Sequence, residues 1–307
     1  MKTKTEPINL PGAIITPDHD LHVHTCLSAC CSDKARHTPR NILRRAEELG
    51  LNSIGFADHI WVNAELAPSA WYRNQGAGQI EKLRQDLGTT GYSGRVLVGC
   101  EAETIAPGRF GITPDFADSI DFVLLACSHF HMAGFVEQPS ARTPRAVADQ
   151  LIRFFRSAVQ CGLADIIAHP LLPYGYLDLY DAAIATISDE ELLDVLGMAK
   201  EHGVALEITA AFLPPSKGGF PRKLEWHMDT PIRILTLARQ AGCRFTFGSD
   251  AHELDDMNRL PRLQLFVNAV GLTPQDLWIG RGGSEPRQTG KDELKESGIR
   301  IADSKTA

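Results

Sequence analysis

Residues 20–59 read DLHVHTCLSACCSDKARHTPRNILRRAEELGLNSIGFADH, and they predict one strand–helix–strand unit. A strand is expected around 20–24 and another around 53–57. Between them, Thr38 followed by Pro39 is typical of a capped helix start. The helix itself is indicated by apolar residues at helical spacing and a closing glycine: Ile42, Leu43, Ala46, Leu49 and Gly50. Such a unit predicts parallel strands joined by a crossover helix.

The same alternation continues along the 307-residue chain and indicates an α/β fold. Strands are predicted around 20–24, 53–57, 95–100, 121–126, 165–168, 204–208 and 244–248. Further helix starts are predicted at Thr143-Pro144, Thr230-Pro231 and Thr273-Pro274, and by the pair Ser188 and Glu191. No GxGxxG or GxxxxGK[ST] loop follows any strand, so a seven-stranded barrel is a better prediction than an open nucleotide-binding sheet. We expect one domain over 14–280 and a polar C-terminal tail over 281–307.

Composition narrows the possible functions. No segment approaches the roughly 20 consecutive apolar residues of a membrane span, and the first residues lack the apolar stretch of a secretory signal. The seven cysteines are an odd number and do not resemble a disulfide framework. We therefore expect reduced thiols, no membrane partner and a cytoplasmic location. A net charge of −7 makes a polynucleotide an improbable partner.

Residues able to bind a metal follow almost every predicted strand. Seven of the eleven histidines lie at strand exits. The exits carry His22 and His24, Asp58 and His59, Glu101, His129 and His131, His169, Glu207, and Asp250 and His252. Because residues i and i+2 of a strand face the same side, His22 and His24 can approach one ion together. A mixed set of imidazoles and carboxylates suits Zn, Mn or Fe.

Six short motifs in order, DLHVHT, FADH, VGCEAE, LACSHFH, IAHP and FGSDAH, resemble those of PHP (polymerase and histidinol phosphatase) domain proteins. The resemblance spans about residues 18 to 256. It implies a distorted, TIM-barrel-like (β/α)7 barrel with two or three divalent metal ions. It would place His22, His24, Glu101 and Asp250 on a first metal, Glu101, His129 and His169 on a second, and His59 and His252 on a third.

The remaining ligand of the third metal is an open choice. Many relatives have a histidine where this chain has Cys30, although some resemble it in carrying a CLSxC pattern there. Cys30 is a plausible thiolate ligand, which would favour Zn or Fe. The alternatives are a buried, inert Cys30, a shift to Cys31, or His37 from the following loop.

Some further roles are also predicted. His129 is favoured over His131 as ligand, and the other histidine would contact substrate. Asp20 and Asp58 are expected to orient ligand histidines. Glu207 would touch metal-bound water or substrate, or else pair with an arginine. Cationic candidates for binding phosphate in the loops are Arg36, Arg109, Lys217 and Arg222.

The resemblance implies a metal-dependent phosphoesterase of histidinol-phosphatase type that hydrolyses a small-molecule phosphate monoester. A hydroxide bridging the metals would attack phosphorus, and Asp250 or His252 would pass a proton to the leaving oxygen. Two rival interpretations remain: an amidohydrolase that cleaves C–N or C–O bonds, and a non-catalytic metal-binding regulatory module. Exonuclease action on short oligonucleotides is a third. The sequence does not select the substrate or the oligomeric state.

Overall fold

The structure is a computed structural model that describes residues 15–88, 91–214 and 226–281. In this part of the chain the strands are β1 (His19–Val23), β2 (Ser53–Phe56), β3 (Arg95–Val98), β4 (Cys100–Ala106), β5 (Arg109–Phe110), β6 (Val123–Ala126), β7 (Ile166–Ile167), β8 (Ala205–Thr209) and β9 (Phe245–Gly248). The α-helices are α1 (Pro39–Glu48), α2 (Gly78–Leu87), α3 (Pro114–Asp118), α4 (Pro144–Gln160), α5 (Tyr180–Ala185), α6 (Asp189–Glu201), α7 (Asp229–Gln240) and α8 (Gln264–Val270). All seven predicted strands are confirmed.

The parallel strands form a distorted (β/α)7 barrel. One ladder runs β1-β2-β3 and the other runs β4-β6-β7-β8-β9, with the short β5 antiparallel on β4. β3 and β4 are consecutive parts of one long strand broken at Gly99, where a Cβ would lie 2.5 Å from the carbonyl oxygen of Phe122. β3 pairs with β2 and β4 pairs with β6, and a single bridge between His59 and Glu101 continues the contact at the break. The two sheets are therefore joined through this strand.

The barrel closes between β1 and β9, but these two strands do not form a regular ladder of backbone hydrogen bonds. The backbone contacts there are the bridge of Val23 with Ala251 and a hydrogen bond of 3.1 Å from the His24 amide to the Ala251 carbonyl. Below them, the Ser249 amide donates to Asp20 Oδ1 at 2.9 Å. Side chains of β1 thus take over hydrogen bonds that a neighbouring strand would supply, which is the main distortion of the barrel.

Most predicted helix starts are confirmed. The hydroxyls of Thr38, Thr143 and Ser188 accept hydrogen bonds from amides in the first turns of α1, α4 and α6. Thr273 caps only a short 3-10 turn, Pro274–Asp276. The start predicted at Thr230-Pro231 is wrong by two residues, because α7 begins at Asp229 rather than Pro231, and the Thr230 hydroxyl donates to Asp181 instead of capping the helix.

The C-terminal described segment closes the base of the barrel, at the amino ends of the strands. Trp278 is 7% exposed and belongs to an interior apolar cluster with Leu21, Leu124 and Ile166. Arg281 forms two hydrogen bonds with Asp165, at 2.8 and 2.6 Å. Residues 282–307, which make up nearly all of the predicted tail, lie outside the described residues.

The described helices include none that is long and apolar enough to cross a membrane.

Candidate metal centre

Glu101, on β4, is the centre of a buried cluster at the carboxyl ends of the strands. Its carboxylate faces five imidazoles. From Oε2 the distances are 3.4 Å to His22 Nε2, 3.5 Å to His24 Nε2 and 3.2 Å to His59 Nδ1; from Oε1 they are 3.1 Å to His169 Nε2 and 3.8 Å to His129 Nε2. Both carboxylate oxygens are therefore enclosed by nitrogens that can bind a metal ion.

Within the described residues, three groups of side chains could each hold an ion, and the ligand atoms of each group lie within 4.8 Å of one another. They are His22, His24 and Asp250; Glu101, His129 and His169; and His24, Cys30, His59 and His252. These groups contain every residue for which metal binding is predicted from the sequence. His24 belongs to two groups, so the geometry alone does not divide the ligands between ions.

The charges of the cluster fit a cation. Burial alone would lower the pKa of His22, but the carboxylates of Glu207, Asp250 and Glu101 raise it well above its usual value. Burial alone would raise the pKa of Glu101, but the neighbouring histidines, His59 first, hold it well below its usual value. Moreover, His22 Nε2 is buried and has no hydrogen-bond partner. Buried carboxylates and an unpartnered imidazole nitrogen are what a divalent ion would satisfy.

Carboxylates behind the cluster orient two of the histidines. His22 Nδ1 donates to Glu207 Oε1 at 2.8 Å, and His129 Nδ1 donates to Glu103 Oε2 at 2.8 Å. Gly248 makes the first contact possible, because a Cβ there would lie 1.9 Å from Glu207 Oε1. Hydrogen bonds of this kind fix the ring and its tautomer, which makes the opposite nitrogen a better ligand.

Asp20 and Asp58 hold the backbone around the ligands rather than the imidazoles themselves. Asp20 Oδ1 accepts from the amides of His22 and Ser249, at 3.2 and 2.9 Å. Asp58 accepts from the amide and the hydroxyl of Thr25, both at 2.6 Å. Asp250 has a φ of 53°, a strained conformation for a non-glycine residue that such neighbouring contacts must stabilise.

The structure separates the alternatives around Cys30. Burial would raise the pKa of the Cys30 thiol, but His24, His252 and His59 lower it to about 2. Cys31 is buried outside all three groups, and burial raises its pKa to about 11. His37 Nε2 lies 3.2 Å from the carbonyl oxygen of Ala251 and faces the backbone. Of the three, only Cys30 lies among the other candidate ligands, with His24, His59 and His252.

A cavity of about 920 Å³ opens above the cluster. His129 and His131 both line it, but of the two only His129 belongs to one of the three groups. The cavity is also lined by Trp71, Tyr72, Tyr174 and Trp226, and by an arginine of the 3-10 helix Leu254–Leu263, Arg259.

Of the four described residues that are predicted to bind substrate, His131 lines this cavity, whereas Arg36, Arg109 and Glu207 do not. Arg36 is exposed and lies 3.5 and 3.6 Å from carboxylate oxygens of Asp33 and Asp255. Arg109 is exposed on β5, away from the cavity wall. Glu207 is fully buried beneath the cavity, where its two oxygens accept from His22 Nδ1 and the His169 amide.

Lys217 and Arg222 lie outside the described residues. Sequence reasoning missed Arg259 and Trp226, because nothing in their local patterns distinguishes them from surface or core residues.

Comparison with known proteins agrees with the geometry. The chain is 28% identical over 257 residues to a protein of Edwardsiella ictaluri named "Probable phosphatase", covering 83% of this chain and 87% of that protein. It is 26% identical over 254 residues to a Deinococcus radiodurans protein named "Probable histidinol-phosphatase", covering 76% and 86%. A crystal structure of N-isopropylammelide isopropylaminohydrolase from Burkholderia multivorans superposes with a TM-score of 0.44 at 13% identity, covering 83% of this chain and 68% of that one.

The sequence model of the PHP domain matches residues 20–211. This range includes β1 to β8, and it carries the histidines of the cluster that precede the last strand, together with Glu101. The chain belongs to the PHP domain family.

Proposed function

We propose that the protein is a metal-dependent phosphoesterase that hydrolyses a phosphate monoester of a small molecule. The observation that carries the proposal is the buried Glu101 carboxylate between two sets of imidazoles, at the floor of a cavity large enough for a small substrate. Two relatives named as phosphatases, each covered over more than four fifths of its length, support phosphate ester chemistry.

Two or three divalent ions, Zn, Mn or Fe, would be held by the nine residues of the three groups. Glu101 would face two of these ions. Bound there, they would neutralise the phosphate oxygens and make a water nucleophilic near neutral pH. The protein's own contribution is to hold the imidazoles in place through Glu207 and Glu103. The walls of the cavity would limit the access of bulk water to the reacting phosphate.

The proton for the leaving oxygen would come from Asp250 or His252, which both line the cavity. His252 Nδ1 donates to the Asp250 carbonyl at 2.8 Å, which fixes its ring. Loss of a general acid slows esters of alkyl alcohols far more than esters of p-nitrophenol, whose leaving group needs no proton. Asp250 and His252 are also candidate metal ligands, so metal content is measured first in Asp250→Asn and His252→Asn. A variant that keeps the wild-type metal content and slows only the alkyl esters identifies the donor.

The proposal is tested by elemental analysis and phosphate release on the wild type and on Glu101→Ala. We expect two or three equivalents of Zn, Mn or Fe in the wild type, turnover of at least one monoester in a broad panel, and loss of both in the variant. Amides and lactones belong in the same panel. Turnover of these alone would favour the amidohydrolase interpretation. Full metal occupancy without any turnover would favour a regulatory module.

Histidinol-phosphatase-like specificity and a cytoplasmic location stay predictions. The cavity accommodates a small phosphorylated molecule, and the net charge of −7 makes a long polynucleotide an improbable substrate.

A further inference from the structure

The sector of the barrel rim at the carboxyl end of β8 differs from the other sectors. Among the described residues, each parallel strand other than β8, with β3 and β4 counted as one, delivers at least one member of the three metal-binding groups, either within the strand or just after it. β8 delivers none, since Glu207 lies beneath the cluster and is fully buried. The ions proposed for the cluster would therefore lie toward the other strands, and an anion bound to them would have one side facing the end of β8.

Arg259 occupies this sector. It comes from the 3-10 helix after β9, but its Nη2 reaches across to the turn that follows β8. There it donates to the carbonyl oxygens of Ala210 and Leu213, at 2.6 and 3.2 Å. The side chain lines the same cavity as Asp250 and Tyr174, and it is the only lysine or arginine of the described residues that does so.

The guanidinium has donors to spare. Arg259 is 7% exposed, and its Nε is buried without a hydrogen-bond partner. In the part of the chain that the structure describes, it forms no ion pair. The nearby Asp256 instead caps its own helix, where Oδ2 accepts from the amides of His252 and Glu253, at 3.3 and 3.2 Å. Asp256 and Asp250 are near enough to favour its charge, but neither is within ion-pair distance. A buried cation without a direct ion pair is costly, so a site that keeps one is suited to an anionic ligand.

We propose that Arg259 binds the phosphate group of the substrate on the side of the cavity that has no metal ligands. The inference rests on the proposed function and adds a specificity-determining residue to it. The two carbonyl contacts hold Nη2 in place, so that the rest of the guanidinium is oriented before the ligand arrives. With Nη2 on the two carbonyls, Nη1 still has two N–H donors for phosphate oxygens, and the guanidinium brings a permanent positive charge.

The test is calorimetric titration of the metal-loaded protein with inorganic phosphate, together with KM and kcat for a monoester that the wild type hydrolyses. The variants are Arg259→Met and Arg259→Lys. Arg233→Met is the matched control, because Arg233 also donates to two backbone carbonyls, of Ile184 and Ile187 at 3.0 and 2.8 Å, but does not line the cavity. Metal content is measured on every sample.

We expect Arg259→Met to weaken phosphate binding roughly ten- to a hundredfold, the loss typical of a hydrogen bond between charged groups. KM should rise in parallel, metal content should be unchanged, and added methylguanidinium should restore part of the affinity. Arg233→Met should bind phosphate as the wild type does. A folded Arg259→Met with unchanged phosphate affinity would overturn the proposal and leave Arg259 as a structural link between the two turns.

Arg259→Lys keeps the charge and decides the question if the methionine variant does not fold. Lysine has one nitrogen in place of Nη1 and Nη2, so it cannot stay on the two carbonyls and also extend a second nitrogen toward the phosphate. We expect phosphate affinity to fall at least severalfold, and unchanged affinity would again overturn the proposal. Binding of inorganic phosphate needs no turnover. If the variants bind phosphate more weakly but the wild type hydrolyses no monoester, the result supports phosphate binding by Arg259 and contradicts the phosphoesterase proposal. If the variants bind phosphate and hydrolyse the monoester as the wild type does, the result supports the phosphoesterase proposal and contradicts phosphate binding by Arg259.

Discussion

Glu207 on β8 holds His22 on β1: the carboxylate oxygen Oε1 lies 2.8 Å from Nδ1, and both side chains are fully buried. The other oxygen, Oε2, accepts from the backbone amide of His169 at 2.6 Å. One carboxylate therefore fixes residues of two different metal-binding groups. The barrel brings them together, since β8 pairs with β7 and β9, and β9 lies beside β1.

We predict that Glu207→Gln lowers metal affinity tenfold to a hundredfold with little change in the fold. Glutamine has one acceptor oxygen and cannot accept from both His22 and the His169 amide, so one of the two contacts is lost. Affinity is measured by competition with a chromogenic chelator. Glu103→Gln, which disturbs His129 in the same way, should behave similarly, and the exposed Glu201→Gln should not. Wild-type affinity in Glu207→Gln would refute the positioning role.

Cys30→Ser should remove one equivalent of bound metal, because a neutral hydroxyl replaces the thiolate that faces His24, His59 and His252. Cys31→Ser is the neighbouring control, and since Cys31 lies outside the three groups its metal content should stay at the wild-type value. Elemental analysis of both variants provides the comparison. Equal metal content in the two would show that the thiolate is not a ligand.

The sequence alone is enough to expect that the candidate ligands lie close together, because the carboxyl ends of parallel strands meet at one rim. Knowing that His129 or His169 follows a strand is enough to place it there, without knowing the barrel's distortions. The break at Gly99 and the two-residue β5 could not be predicted in the same way. Gly99 is required by the carbonyl of Phe122, a residue distant in sequence, and β5 is too short to show a period.

The residues that line the cavity are harder to predict from the sequence, because a loop position does not tell which way a cationic side chain points. Arg36 follows the first candidate ligands closely, yet it is near Asp33 and Asp255 and does not line the cavity. Arg259 comes nine residues after Asp250 among other charged residues, and only the fold shows that its side chain lines the cavity. Its direction depends on the carbonyls of Ala210 and Leu213, contacts that no local pattern reveals.

Removal of the metals should destabilise the protein, because ions bound only by the folded state add their binding free energy to folding. One ion at a hundredfold excess over its Kd contributes about 2.7 kcal/mol. For a chain of this size we expect a chelator to lower the Tm by at least about 5 °C. Glu101→Ala, whose metal content should already be low, should respond much less. A wild-type Tm unaffected by complete chelation would contradict metal binding by this cluster in the folded state.

Trp278→Ala should destabilise the fold without disturbing the metal centre, because the two lie at opposite ends of the barrel. Trp278 is 7% exposed, and its amide donates to the Phe245 carbonyl at 2.7 Å. Truncation leaves a cavity beside Leu21 and Ile166, and the expected cost is about 3 to 5 kcal/mol in the free energy of unfolding.

The matched control for Trp278→Ala is Trp71→Ala, which removes a side chain that is 38% exposed and lies at the cavity mouth. It should cost much less stability and act on KM instead. Denaturant unfolding gives the free energies, and elemental analysis of the folded protein gives the metal content. If the metal content of Trp278→Ala fell in proportion to its free energy of unfolding, packing at the base of the barrel would affect metal binding at the rim. The barrel would then not act as a rigid support for the site.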